Sequence, residues 1–286
     1  MKRKEFLLKT TLGALGIGLN KSSEVKEGKS VIDRSAQVGF NHIEKMETNT
    51  LTTVLHKADS RGHANHGWLN SFHSFSFANY YNPERVHFGR LRVLNDDTVA
   101  PGRGFGTHPH DNMEIISIPL KGDLEHKDSM GTTAVIKEGE IQVMSAGTGV
   151  YHSEYNKNKD KEVKFLQIWI FPREKNVTPR YDQMEIAALL KPNDFAQVLS
   201  PNKDDQGVWI NQDAWFHMGH FDTETQTSYQ LKKPGNGVYA FILEGSATIA
   251  GQQLTARDGL GIHDGDSFDV VASQGAKILL MEVPMA

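Results

Sequence analysis

The chain has no cysteine among its 286 residues. That excludes disulfides, thiolate metal sites, iron–sulfur clusters and a cysteine nucleophile. It leaves the compartment open, because a cysteine-free protein tolerates either redox environment. Neither sign of charge dominates: 31 Lys+Arg stand against 35 Asp+Glu, a net charge of -4. No basic face for nucleic acid is therefore expected. Hydrophobic residues at 38% and charged residues at 23% exclude a disordered acidic chain and allow a sizeable core. Membrane-length apolar runs are lacking too. The glycine-rich run at 12–19 (LGALGIGL) is well short of the roughly 20 apolar residues that a spanning helix needs. Helix-like composition is confined to 181–190 (YDQMEIAALL), read as a short inter-domain helical segment.

The sequence is rich in glycine, with 26 of them. Many punctuate short β-like runs, whereas the first 50 residues read differently. Lys2, Arg3 and Lys4 precede the apolar run, and Arg3-Lys4-Glu5-Phe6-Leu7 resembles a twin-arginine signal with Lys in place of the second Arg. Residues 1–20 are thus expected to be an export signal, giving an exported or periplasmic protein; without that signal the protein is cytoplasmic. Residues 21–50 are polar and read as a linker or tail. At roughly 150 residues per domain, the length suggests two domains or one large β-domain, and the folded body starts near Leu51.

Within the body, strand-like runs recur between turn signals. The run 90–94 alternates and is expected to end at Asn95-Asp96-Asp97. The runs 113–120, 134–137, 141–144 and 163–171 follow, closed or opened by Gly122, Gly139, Gly147 and Gly149. A second β-like half spans 209–285. Its runs 238–245 and 258–262 echo 115–122 and 138–141: an apolar strand enters a glycine turn, and an acidic-Gly turn opens another strand. The pattern predicts an all-β protein of two copies of one barrel unit, over 51–180 and 181–286, with few short helices.

Two histidine pairs carry the chemistry. His108 and His110 stand two apart, as do His152 and Glu154 after Gly147-Thr148-Gly149. On a strand, residues i and i+2 share a face. Two such strands can meet inside a barrel as three imidazoles and one carboxylate. With 13 His, one H-x-H pair arises by chance about 0.6 times, so the second pair gives the set its weight. Glu114, four residues after His110, competes with Glu154 as the carboxylate. His126 and Asp128 also share a face; they are either an exposed hairpin pair or a pair that orients a ligand imidazole. In the second half, His217 and His220 fall on opposite faces and no H-x-H or H-x-E occurs, so that barrel is expected to be a metal-free copy.

The spacing G-x5-H-x-H-x3-E, met by Gly102, His108, His110 and Glu114, resembles the first motif of cupins, which are double-stranded β-helix barrels of jelly-roll type. Four stretches resemble the pirin family more narrowly: 61–78 (RGHANHGWLNSFHSFSFA), 104–110 (GFGTHPH), 125–131 (EHKDSMG) and 144–154 (MSAGTGVYHSE). The likeness runs over about 51–286 and points to bacterial pirin-like proteins with quercetin 2,3-dioxygenase activity. It implies a bicupin with one divalent metal in the N-terminal barrel, held by His108, His110, His152 and Glu154. Iron is the ion expected first, with nickel, copper, cobalt, manganese and zinc as alternatives. It further implies a small aromatic substrate and dioxygen, ring opening of a flavonol with loss of carbon monoxide, and Glu154 as the base. A non-enzymatic, metal-dependent regulator and a cupin enzyme on another substrate are the competing readings. The oligomeric state is left open, a monomer being compatible with the sequence. The aromatic stretch 61–78 either covers one end of a barrel or forms a lid over a flat substrate.

Overall fold

The computed structural model describes residues 51–286; the expected export signal and polar linker lie outside them. Among the described residues, twenty-two strands form four sheets. Burial follows the period of two on half-buried strands, as in Ser267–Ala272, whose alternate residues Phe268, Val270 and Ala272 are buried. Strands between two packed layers are buried on both faces, as in Asn236–Glu244.

In the first half the strands are β2 (Gly62–Asn65), β3 (Leu69–His73), β4 (Leu91–Val99), β5 (Gly104–His110), β6 (Glu114–Lys121), β7 (Leu124–Asp128), β8 (Thr133–Ile136), β9 (Glu140–Ser145), β10 (Val150–Asn156) and β11 (Val163–Ile170). Ahead of them lies β1 (Thr52–His56), and after them β12 (Arg180–Glu185). The second half holds β13 (Asp194–Ser200), β14 (Val208–Trp209), β15 (Trp215–Phe221), β16 (Thr225–Gln230), β17 (Asn236–Glu244), β18 (Ser246–Ile249), β19 (Gln252–Thr255), β20 (Gly259–His263), β21 (Ser267–Ala272) and β22 (Ala276–Pro284).

The sheet orders are two copies of one plan. A seven-stranded sheet β12-β9-β6-β11-β4-β3-β2 matches β1-β20-β17-β22-β15-β13-β14 place for place. The four-stranded sheet β5-β10-β7-β8 likewise matches β16-β21-β18-β19. The sequence echo is therefore real in three dimensions: β6 and β9 occupy the places of β17 and β20. The two copies exchange edge strands. Strand β1, first among the described residues, pairs with β20 over Thr52↔His263 to His56↔Gly259. Strand β12 pairs back onto β9 over Arg180↔Ser145 to Glu185↔Glu140. Strand pairing thus crosses a division at residue 180.

Two local expectations are corrected. The stretch 181–190 is not a helix: β12 ends at Glu185 and only Ala187–Leu189 forms a 3-10 turn. Tertiary pairing to the open edge of β9 overrides helix-like composition. Asn95-Asp96-Asp97 is not a turn either, since β4 runs through it to Val99. Asn95 and Asp97 are buried, and Asp97 accepts a hydrogen bond from the Ser71 hydroxyl. Burial raises the Asp97 carboxyl to about 7.

The largest apolar cluster joins the facing seven-stranded sheets, with Phe75, Leu94, Ile116 and Ile118 against Phe216, Tyr239, Phe241 and Leu279. Each such side chain, fully buried, contributes about 1.5–3 kcal/mol, so this layer is the main source of stability. The two barrel interiors differ. The second is filled by one apolar cluster that includes Val238, Ala240 and Ile242 of β17 together with Phe268 and Val270 of β21. The first holds only two small apolar groups, around Phe165 and around Ile115. Its other buried residues include Ser117, His126, Gln142, His152, Glu154 and Gln167.

Candidate metal centre

Strand β10 lies between β5 and β7, and its register aligns the polar side chains. His152 pairs with His108 of β5 and Asp128 of β7; Glu154 pairs with His126. Residues opposite each other in an antiparallel pair share a face. His108, His110, His126, Asp128, His152 and Glu154 therefore project from one face of the small sheet. A bulge between His152 and Glu154 shifts the pairing with β5, which the extra residue twists locally. The turn before β10 needs glycine: Gly147 has φ 46, and a Cβ there would collide with the Val177 carbonyl.

The ligand nitrogens of His108, His110 and His152 all lie within 4.8 Å of one another. Their hydrogen bonds fix which nitrogen is free. His108 Nδ1 donates to the Gly106 carbonyl at 2.8 Å, so its Nε2 carries a lone pair. Asp128 accepts from His126 Nε2 at 2.9 Å, and with a neutral His126 ring this leaves its Nδ1 as the acceptor for His152 Nδ1 at 3.4 Å. His152 Nε2 is then also unprotonated. It faces His108 Nε2 at 3.0 Å. Two lone pairs at that distance repel unless a cation sits against both. His110 Nε2 is buried with no hydrogen-bond partner among the described residues. Burial, then the neighbouring imidazoles, lower His110 and His152 to about 3. Both are neutral at pH 7, as metal ligation requires. The donor set fits a divalent transition metal.

Glu154 is buried but is not within that spacing of all three histidines. Ser117 Oγ donates to its Oε1 at 3.0 Å, and Gln167 Nε2 donates to its Oε2 at 2.7 Å. Ser117 and Gln167 were not singled out by sequence reasoning. Their signal was present: each is a polar residue within an apolar strand. Glu114 stands elsewhere. It faces the opposite side of β6 from Ser117, accepting from Ser145 Oγ at 2.8 Å and the Asn211 amide at 3.2 Å. Burial raises its carboxyl to about 7.

His126 and Asp128 are not an exposed hairpin pair, because both side chains are fully buried. Burial alone would raise the Asp128 carboxyl. Hydrogen bonds from His126 and from the Thr132 and Met130 amides outweigh it and hold the group low. Tyr181 of β12 packs on the His126 ring at 4.7 Å, and Trp169 meets His110 edge-on at 4.9 Å. The stretch 61–78 supplies β2 and β3 of the large sheet rather than a detached lid. Trp68 packs on Phe105 at 5.4 Å, and Phe77 on Trp169 at 5.4 Å.

This chain of contacts makes a prediction. His126→Ala removes the acceptor that orients His152. Metal affinity should fall about 10–100-fold, the usual cost of an outer partner of a ligating imidazole. Metal titration of the purified protein measures it, and unchanged affinity would show that His152 is oriented by other contacts.

In the second barrel the matching strands β16 and β21 turn Thr227, Tyr229, Phe268, Val270 and Ala272 inward, with no histidine or carboxylate among them. Among the described residues, no helix is long and apolar enough to cross a membrane.

Comparison with known proteins places the chain. The Pirin family profile matches residues 54–170, and the quercetinase C-terminal cupin domain matches 197–283. Quercetin 2,3-dioxygenase of Escherichia coli strain K12 is 42% identical over 230 residues, covering 80% of this chain and 98% of that protein. A pirin-like protein of Caulobacter vibrioides is 36% identical over 225 residues, 78% of this chain and 96% of its own. The crystal structure of a bacterial pirin, YhhW of Escherichia coli, in complex with nickel(II) superposes with a TM-score of 0.78 at 40% identity. It covers 82% of this chain and 100% of that chain. With both halves matched in order over the same bicupin architecture, the chain belongs to the pirin family.

Proposed function

We propose that the protein is a metal-dependent oxidoreductase that opens the heterocycle of flavonols such as quercetin with dioxygen and releases carbon monoxide. The observation that carries this reading is the convergence of three imidazole nitrogens, two with lone pairs fixed by hydrogen bonding, on one face of the small sheet of the first barrel. Relatives named quercetin 2,3-dioxygenase support the substrate class. His108, His110 and His152 are proposed as ligands, with Glu154 as the fourth. Iron is our first assignment for the ion; the nickel(II) in the related pirin makes nickel the next to test. When bound, such an ion supplies Lewis-acid polarisation and a route for electrons.

The chain's own residues do the rest. Ser117 and Gln167 hold the Glu154 carboxylate by one donor on each oxygen. One lone pair remains on each oxygen, one for the metal and one to accept the proton of the flavonol 3-hydroxyl. Trp169, Phe77 and Trp68 give the apolar surface that a flat aromatic ring can pack against. Export remains our proposal for residues 1–20, on their charge and apolar pattern alone.

The test is protein prepared with iron, nickel, copper, cobalt, manganese or zinc in turn and mixed with quercetin in air. Loss of the substrate's visible absorbance together with carbon monoxide release supports the reading and names the working metal. Tight metal binding with no turnover on any metal would refute the flavonol assignment. Glu154→Gln should cut turnover about 100-fold or more, the scale of a lost general base. Full activity in that variant would remove Glu154 from the proton transfer.

A further inference from the structure

Among the described residues the second barrel carries no three-histidine set, yet it has a cavity of its own. A cavity of about 510 Å³ lies at its mouth, bounded in part by Phe195, Gln197, His217, Thr227 and Tyr229. That volume is within the range of small-molecule sites, roughly 300–1,000 Å³. Thr227 and Tyr229 lie on β16, the counterpart in sheet order of the strand β5 that carries His108 and His110.

Its inner end is chemically specific. The Tyr229 hydroxyl donates to Glu282 Oε2 at 2.9 Å, so its single proton is used. It must therefore accept from His217 Nδ1, which stands at 3.1 Å. His217 is left as the tautomer with a bare Nε2, and that nitrogen has no hydrogen-bond partner among the described residues. Glu282 anchors the relay: it is fully buried and also accepts from the Lys232 and Lys233 amides and from Asn236 Nδ2, each at 2.9–3.0 Å. A buried imidazole whose orientation is fixed from behind presents an acceptor to whatever fills the cavity. The rim carries the exposed side chains of Lys191 and Lys232 against one acid, Asp194. One net positive charge suits a monoanion.

We infer that the second barrel is a metal-independent binding site for a small hydroxylated carboxylate, whose hydroxyl donates to His217 Nε2 and whose anionic end meets Lys191 and Lys232. The inference does not depend on the reaction of the first barrel. Two sources share this chemistry, a sugar acid and a phenolic acid.

Calorimetric titration of the full chain with gluconate and with 3,4-dihydroxybenzoate tests it. Glucose lacks the charge and benzoate lacks the hydroxyl, so they serve as controls. At least one acid should bind saturably and about tenfold or more tighter than its control, the scale of one lost polar partner in a binding site. Which acid binds names the source. Lys191→Ala/Lys232→Ala should weaken binding about tenfold or more, and Thr227→Trp, which fills the mouth, should abolish it. Stripping the metal with a chelator should leave binding unchanged. Absence of saturable binding by either acid would overturn the inference. So would binding that survives both variants, or binding that disappears with the metal.

Discussion

Replacing His152 with alanine should remove the proposed metal and abolish quercetin turnover. His152 sits on the middle strand of the small sheet, with one ring nitrogen facing His108 and the other tied to His126 and, through it, to Asp128. Truncation deletes a proposed ligand and cuts the connection to the partners that orient it. The loss in metal affinity should exceed the roughly 100-fold upper range for outer partners alone. His126→Ala, which keeps all three proposed ligands, should fall between that variant and the wild type. Metal content after dialysis, measured beside quercetin turnover, gives the ordering. His152→Ala protein that keeps a full complement of metal would place the centre elsewhere. A melting curve for each variant separates loss of the site from loss of the fold.

The histidine centre was legible because β-structure converts spacing into direction. His108, His110 and His152 lie on strands, where a period of two selects one face. What joins the two strands was not legible, since register is set by pairing partners far away in sequence. Ser117 is 37 residues from Glu154, and both are needed to see that the carboxylate is held. Glu114 fits the cupin spacing, yet one position on β6 decides its face, and the wrong parity sends it towards Asn211. The internal echo predicted two copies of one barrel. It could not predict the exchange of β1 and β12, because a strand's composition does not say which open edge it will join. The same gap explains 181–190: its residues favour a helix locally, and the edge of β9 decides otherwise.

That exchanged first strand should also be the protein's acid-sensitive seam. His56, the last residue of β1, is buried and bonded through Nδ1 to the Tyr239 hydroxyl at 3.0 Å. Burial, and then the nearby charge of Arg85, lower it from 6.5 to about 4. The folded form therefore binds fewer protons than the unfolded chain between these values. Its contribution to stability is complete above pH 6.5 and is lost as the pH falls towards 4. At about 1.4 kcal/mol per pH unit, acidification to about pH 5 should cost about 2 kcal/mol through this one ring. His73, lowered to about 4 chiefly by burial, acts with the same sign. Asp97 and Glu114, both raised to about 7 by burial, act with the opposite sign. The total slope is thus a difference between groups, and a single variant isolates one of them. Glutamine at 56 keeps a polar partner for Tyr239 but cannot titrate. Denaturant unfolding of His56→Gln should show a shallower loss of stability than the wild type between about pH 6.5 and 4, by one proton's worth of slope. Identical slopes in the two proteins would mean that His56 is already protonated, or free to reach water, in the folded state, and that β1 is held to β20 without depending on its charge.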